Sequence, residues 1–148
     1  MAAFLEEANK NTYANKEVAK APSTRLRSDD YRFEKDELIY HDTYFGARDF
    51  IGEEIVYENQ KATWGLNYYG FITSATFHEK EVYDILRKAL MKKCGDIIPV
   101  RGPKEFSEEK WKYVNSVQGN LDRFHGKEEI LVDGNSIYEC LYHGGYVL

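Results

Sequence analysis

The sequence predicts an α+β domain of two pseudo-symmetric αβββ halves. Its six antiparallel strands are expected to form one curved sheet or an open barrel, with a helix covering part of it. Three observations lead there. A helical pattern followed by three strand-like runs occurs twice along the chain. The connections between successive runs are too short for parallel crossovers, so each set forms an antiparallel meander. The two sets also carry matching residues at matching spacing. At 148 residues the chain has a common size for one domain and can bury a core without staples. Residues 1–148 are therefore read as a single domain with an internal repeat at 37–72 and 110–146.

Residues 3–13 form the first expected helix, with Phe4, Leu5, Ala8 and Thr12 on one face. The polar stretch around Pro22, Ser23, Thr24 and Arg25 breaks the pattern and is read as extended or loop-like. Strands are expected near 37–45, 49–57 and 63–72, parted by Gly46 and by Glu58-Asn59-Gln60-Lys61. The strongest helix is 78–93, where Val82, Ile85, Leu86, Ala89 and Leu90 make an apolar stripe. Lys92 and Lys93 suit the negative end of its dipole, and Gly95 stops it. A loop with Pro99, Arg101, Gly102 and Pro103 follows, then strands near 110–118, 123–133 and 136–147. Asp133-Gly134 is a strong hairpin signal.

Composition narrows the function. Hydrophobic residues make up 43% and charged residues 30%, a globular balance. The 12 tyrosines supply apolar area with a polar handle, which suits strands, interfaces and polar pockets. The net charge of −5, without a basic tail, argues against nucleic acid and anionic membranes as partners. No apolar run approaches the roughly 18 residues of a spanning helix. The acidic residues of the opening MAAFLEEANK do not fit a signal peptide, so a cytoplasmic location is expected. Cys94 and Cys140 have no metal-ligand spacing and are read as reduced structural thiols. Neither a metal nor a cofactor is expected: HxxxH, HExxH, P-loop, G-x-G-x-x-G and G-x-S-x-G patterns are all lacking.

The repeat is the most informative feature. Phe50, Gly52, Glu54, Val56, Trp64, Tyr68 and Gly70 match Phe124, Gly126, Glu128, Ile130, Tyr138, Tyr142 and Gly144 without a gap. One residue further out of step, Tyr40, Asp42, Tyr44 and Gly46 match Tyr113, Asn115, Val117 and Gly119. The matches run at period two, so they lie on one face of each strand. On the second middle strand the opposite face, His125, Lys127, Glu129, Leu131 and Asp133, is mostly polar, which turns the matched face inward. That face carries Glu54, Glu128, Asp42 and Asn115 among its aromatics, and an inward carboxylate is costly unless paired or hydrogen-bonded.

The runs Ile39–Gly46, Phe50–Glu54, Trp64–Gly70 and Tyr138–Gly145 resemble a bacterial family of unknown function. Its members are sometimes fused behind an XRE-type helix-turn-helix, which implies a sensor or regulatory domain. The resemblance carries no catalytic residues, and no DNA-binding part is expected within these 148 residues. In element order alone the chain is similar to GyrI-like domains: moving the last strand to the front gives β-α-β-β twice. That resemblance implies a cleft between the halves that takes drug-like cations on aromatics and a central glutamate.

The candidate ligand-binding residues are therefore Glu54, Glu128, Asp42, Asn115, Trp64, Tyr68, Tyr138, Tyr142, Tyr40, Arg25 and Arg101. Two readings stand side by side. The glutamates line a polar pocket for a cation or a hydroxyl-rich ligand, or they are structural and bonded to Tyr hydroxyls, Arg25 and Arg101. Asp42 places a second acid beside Glu54, whereas Asn115 stands beside Glu128, so Glu54 is the better ligand candidate and Glu128 the better structural one. The function expected is a non-enzymatic small-molecule binding or sensor module with an aromatic and carboxylate cleft. An enzyme acting on a polar small molecule through Glu54 or Glu128, and a protein-interaction module, remain open alternatives.

Overall fold

A computed structural model describes residues 1–147. The order of elements is α1 (Ala2–Lys10), β1 (Asp29–Lys35), β2 (Leu38–Gly46), β3 (Asp49–Glu58), β4 (Lys61–Ile72), α2 (Glu79–Leu90), β5 (Glu105–Glu108), β6 (Trp111–Asn120), β7 (Arg123–Val132) and β8 (Asn135–Tyr146). All eight strands belong to one antiparallel sheet in the order β1-β2-β3-β4-β8-β7-β6-β5. Each half is a meander, and the two meanders join through their last strands.

This overturns the expected six-stranded α+β arrangement with one covering helix. The described residues are mostly sheet, with eight strands, two short helices and no closure into a barrel among them. Four strands per helix also remove the β-α-β-β order on which the GyrI-like resemblance rested. The strands missed are the two edges. In β1 only Tyr31 and Phe33 alternate with charged Asp30, Arg32 and Glu34, and β5 is four residues long with Phe106 as its one large apolar group. Charge and brevity are how sheet edges avoid pairing with other chains, and both weaken the period-two signal.

The core lies between the sheet and the helices. Phe4, Leu5 and Ala8 of α1 and Val82, Ile85, Leu86, Ala89 and Leu90 of α2 share one apolar cluster with Tyr40, Val56, Trp64, Leu66, Ile130 and Tyr138 from the strands. α2 begins where the backbone N–H of His78 donates to Glu81 Oε2 at 3.1 Å, and Arg87 and Lys88 occupy its last turn. At the centre of the sheet Tyr68 of β4 faces Tyr142 of β8. Each tyrosine also faces a glycine across its own hairpin, Gly52 and Gly126 respectively. A Cβ on Gly52 would come within 2.4 Å of the Tyr68 hydroxyl oxygen, and one on Gly126 within 2.3 Å of that of Tyr142. Glycine at these places lets an aromatic ring lie across the neighbouring backbone.

Candidate ligand cleft

A cavity of about 580 Å³ opens beside the first half of the sheet. β2, β3 and β4 supply Tyr40, Asp42, Tyr44, Phe50, Glu54 and Tyr68 to it; the other side is made by Tyr13 and by Tyr83 and Arg87 of α2. Period-two alternation places the strand residues on one face, and i, i+4 spacing places Tyr83 and Arg87 on one side of α2. The tyrosines hold one another by edge contacts: Tyr13 meets Tyr44 at 5.9 Å between ring centroids, and the Arg87 guanidinium lies 4.4 Å over Tyr13. Tyr40, Asp42, Glu54, Tyr68 and Arg101 are nearly inaccessible and form the deep end. At the rim, Lys16 and Lys80 pair with Asp84, and Lys20 pairs with Asp29. These pairs offset part of the positive charge of the rim, where two lysines share one aspartate.

The deep end holds three carboxyls around one guanidinium. Asp42 and Glu54 are cross-strand partners on β2 and β3. Arg101 binds Glu128 at 2.6 Å and stands 3.6 Å from Glu54. Its guanidinium also lies 5.4 Å from the centre of the Tyr68 ring, and its Nε is buried without a hydrogen-bond partner. Tyr68 Oη donates to Asp42 Oδ1 at 2.7 Å. Burial pushes the Glu54 carboxyl well above the ordinary carboxylate range, and the charge of Asp42 adds to that, while Arg101 and Tyr40 oppose it only in part. Burial also raises Asp42 against the opposing pull of Tyr68 and Arg101. Two carboxyls whose pKa values burial raises thus face an open cavity.

The matched place in the second half is full. Glu128 is completely buried and accepts from Arg101 Nη2 at 2.6 Å, Tyr113 Oη at 2.6 Å and Tyr138 Oη at 2.9 Å. Asn115 Oδ1 accepts from Tyr142 Oη at 2.6 Å, as Asp42 does from Tyr68. The Gly102 backbone occupies the remaining space: its N–H donates to Tyr113 Oη at 3.1 Å, and its carbonyl, in the next peptide group, accepts from Asn115 Nδ2 at 2.9 Å. A Cβ there would come within 2.7 Å of the Tyr113 hydroxyl oxygen, so the approach needs glycine.

Edge-strand length separates the halves. β1 has seven residues and runs on along β2 as far as Asp29 opposite Tyr44, whereas β5 has four and begins at Glu105 opposite Val114. The chain before β5 is thereby released inward across the second half. The chain before β1 turns to the other face, where Ser28, Thr24, His41 and Thr43 surround the buried Asp30 carboxylate. Burial alone would raise Asp30, but these hydrogen bonds outweigh it and hold its carboxyl well below the usual range.

Of the residues singled out from sequence, Tyr40, Asp42, Glu54, Tyr68 and Arg101 line the cavity. Glu128, Asn115, Tyr138 and Tyr142 form the bonded cluster of the second half. Trp64 is buried, donates from Nε1 to the Leu121 carbonyl at 3.2 Å and stacks on Phe124. Arg25 does not join them: it is exposed and pairs with Glu53. Sequence reasoning missed Tyr13, Tyr44, Phe50, Tyr83 and Arg87 as lining residues. Tyr44 and Phe50 already stood in the repeated pattern, and Tyr83 and Arg87 lie off the apolar stripe of α2 at i, i+4; Tyr13 had no comparable signal. Among the described residues no group of three or more His, Cys, Asp or Glu is placed to hold a metal ion, and no helix is long and apolar enough to cross a membrane.

An open, all-antiparallel sheet whose one helix-covered face encloses an aromatic cavity with buried carboxyls defines the class of structure. The chain belongs to the family described as domain of unknown function DUF5680, whose model matches residues 42–147. Neither the search of curated proteins nor that of solved structures finds a match.

Proposed function

We propose that this protein is a small-molecule binding module, of the kind used in sensing, whose cleft takes an organic cation. The observation that carries the reading is the deep end of the cavity. Asp42 and Glu54 lie side by side, Arg101 is shared with Glu128, and the void above them is walled by aromatic rings. Its volume falls within the range of small-molecule sites. A cation seated there would be attracted by two carboxylates and by the faces of Tyr and Phe rings, with little water to compete. It would also take the place of the protons that Asp42 and Glu54 hold when the cleft is empty, so affinity should rise with pH as they ionise. Arg101, Glu128 and, from the other face, Asp30 are the charged groups that set this balance.

The test is a thermal-shift and calorimetric series with benzylamine, phenyltrimethylammonium and the neutral benzyl alcohol at pH 5.5 and pH 8. Cations are expected to raise the unfolding temperature, more at pH 8, with proton release on binding. Equal stabilisation by benzyl alcohol, or none by either cation at pH 8, would sink the reading.

A further inference from the structure

We infer that the ligand of the cleft is a zwitterion, with a carboxylate at the far end of an apolar body from its cationic group, and that Arg87 of α2 binds that carboxylate. The inference rests on the cation-binding reading of the same cleft and adds the second charge of its ligand.

The cavity carries charge of both signs on different walls. Asp42 and Glu54 line it from β2 and β3, and Arg87 lines it from α2. Arg87 is partly buried, and the groups that act on its charge are tyrosines, with no carboxylate among them. The acid one turn back on the helix is Asp84, but both of its oxygens are taken, one by Lys16 at 2.5 Å and the other by Lys80 at 2.8 Å. The guanidinium lies instead 4.4 Å over the Tyr13 ring, which packs in turn on Tyr31 and Tyr44 at 6.1 and 5.9 Å between centroids. A ring face attracts the charge but leaves the in-plane N–H donors, which a carboxylate accepts two at a time. From Arg87 to the acids the lining runs over Tyr13 and Tyr44 and then two residues along β2 to Asp42, a step of roughly 7 Å by itself. The walls between the two poles are aromatic, so the body that joins the ligand's charges is apolar. An α-amino acid holds both charges on one carbon and meets only one pole. An amine and a carboxylate set across a ring meet both.

Titration calorimetry at pH 8 with 4-(aminomethyl)benzoate, its methyl ester and benzylamine tests this, on the native chain, Arg87→Gln and Arg87→Lys. The native protein is expected to bind the acid at least about tenfold more tightly than the ester or benzylamine, the discrimination typical of one charge-assisted hydrogen bond. Arg87→Gln should bring acid and ester to within about twofold of each other. Arg87→Lys keeps the charge without the planar fork and should retain part of the preference. If the ester or benzylamine binds the native chain as tightly as the acid, the carboxylate subsite is wrong although a cation site remains. A preference for the acid that survives undiminished in Arg87→Gln also overturns the assignment. If none of the three binds the native chain, it is the cation reading of the cleft that falls, and this inference with it.

Discussion

The two halves of this sheet place the same kinds of residue at the same register and reach opposite outcomes. Asp42 faces Glu54 as Asn115 faces Glu128, and Tyr68 caps one pair as Tyr142 caps the other. Yet Glu128 accepts three hydrogen bonds and has no solvent, while Glu54 has Tyr40 beside it, a 3.6 Å contact to a shared arginine and a cavity in front of it. The difference does not come from the carboxylates. It comes from the segment before each edge strand, which runs inward before β5 and outward before β1. A buried charge is tolerated according to what the chain brings to it, so one glutamate can serve as a structural keystone while its counterpart faces a cavity.

The largest expected effect tests the keystone. Glu128→Ala removes the partner of a buried guanidinium and strands the hydroxyls of Tyr113 and Tyr138, so urea unfolding should show a loss of about 3–5 kcal/mol. A loss no larger than that of Glu54→Ala would erase the contrast between the halves.

The opposite sign is expected at the open site. Raised carboxyl pKa values mean that the folded state holds more protons than the unfolded one. Stability therefore falls as pH rises from about 4, where the unfolded groups titrate, through the folded values. Asp42 is pushed up to about 7 and Glu54 up to about 8, which sets the upper end of the window. Glu54→Gln keeps the shape and removes the charge. It should be close to neutral at pH 5 and stabilise by about 1–2 kcal/mol at pH 8.5, after allowance for the lost contact with Arg101. Denaturant midpoints of the two proteins that stay parallel across pH 5–8.5 would show that Glu54 is not held protonated.

The smallest effect concerns the hairpin tips. Asn59-Gln60 and Asp133-Gly134 make the matched turns, all with positive φ: 50° and 66° in the first, 50° and 80° in the second. Only the second has glycine where the left-handed conformation strains a side chain. Gln60→Gly should raise stability by about 0.5 kcal/mol and Gly134→Ala lower it by about 1 kcal/mol. The two changes are measured by urea midpoint, and a fall for Gln60→Gly would mean that its side chain compensates the strain.

Much of this architecture was legible in the residues. Alternating apolar and polar positions give the central strands and their buried face, because a strand between two neighbours can satisfy its backbone while turning alternate side chains to the core. The apolar stripe gives α2 for the same reason at a different period. The inward carboxylates at 42, 54 and 128 were legible as an anomaly on that face. The edges β1 and β5 were not, since an edge strand bears charge and pairs on one side only. That omission led to the six-stranded expectation. Nor could local pattern reveal that Arg25 leaves the interior while Arg101 enters it. Both stand in polar loops before a strand, and their paths are chosen by where β1 and β5 stop pairing, by the buried Asp30 cluster that anchors one loop outside and by the glycine that lets the other pass over Tyr113. Sequence alone therefore determined that buried acids and tyrosines would share one face. Only the tertiary structure decided which acid would be bonded and which would meet a cavity, because that depends on contacts between segments far apart in the chain, about which the residues beside each carboxylate carry no information.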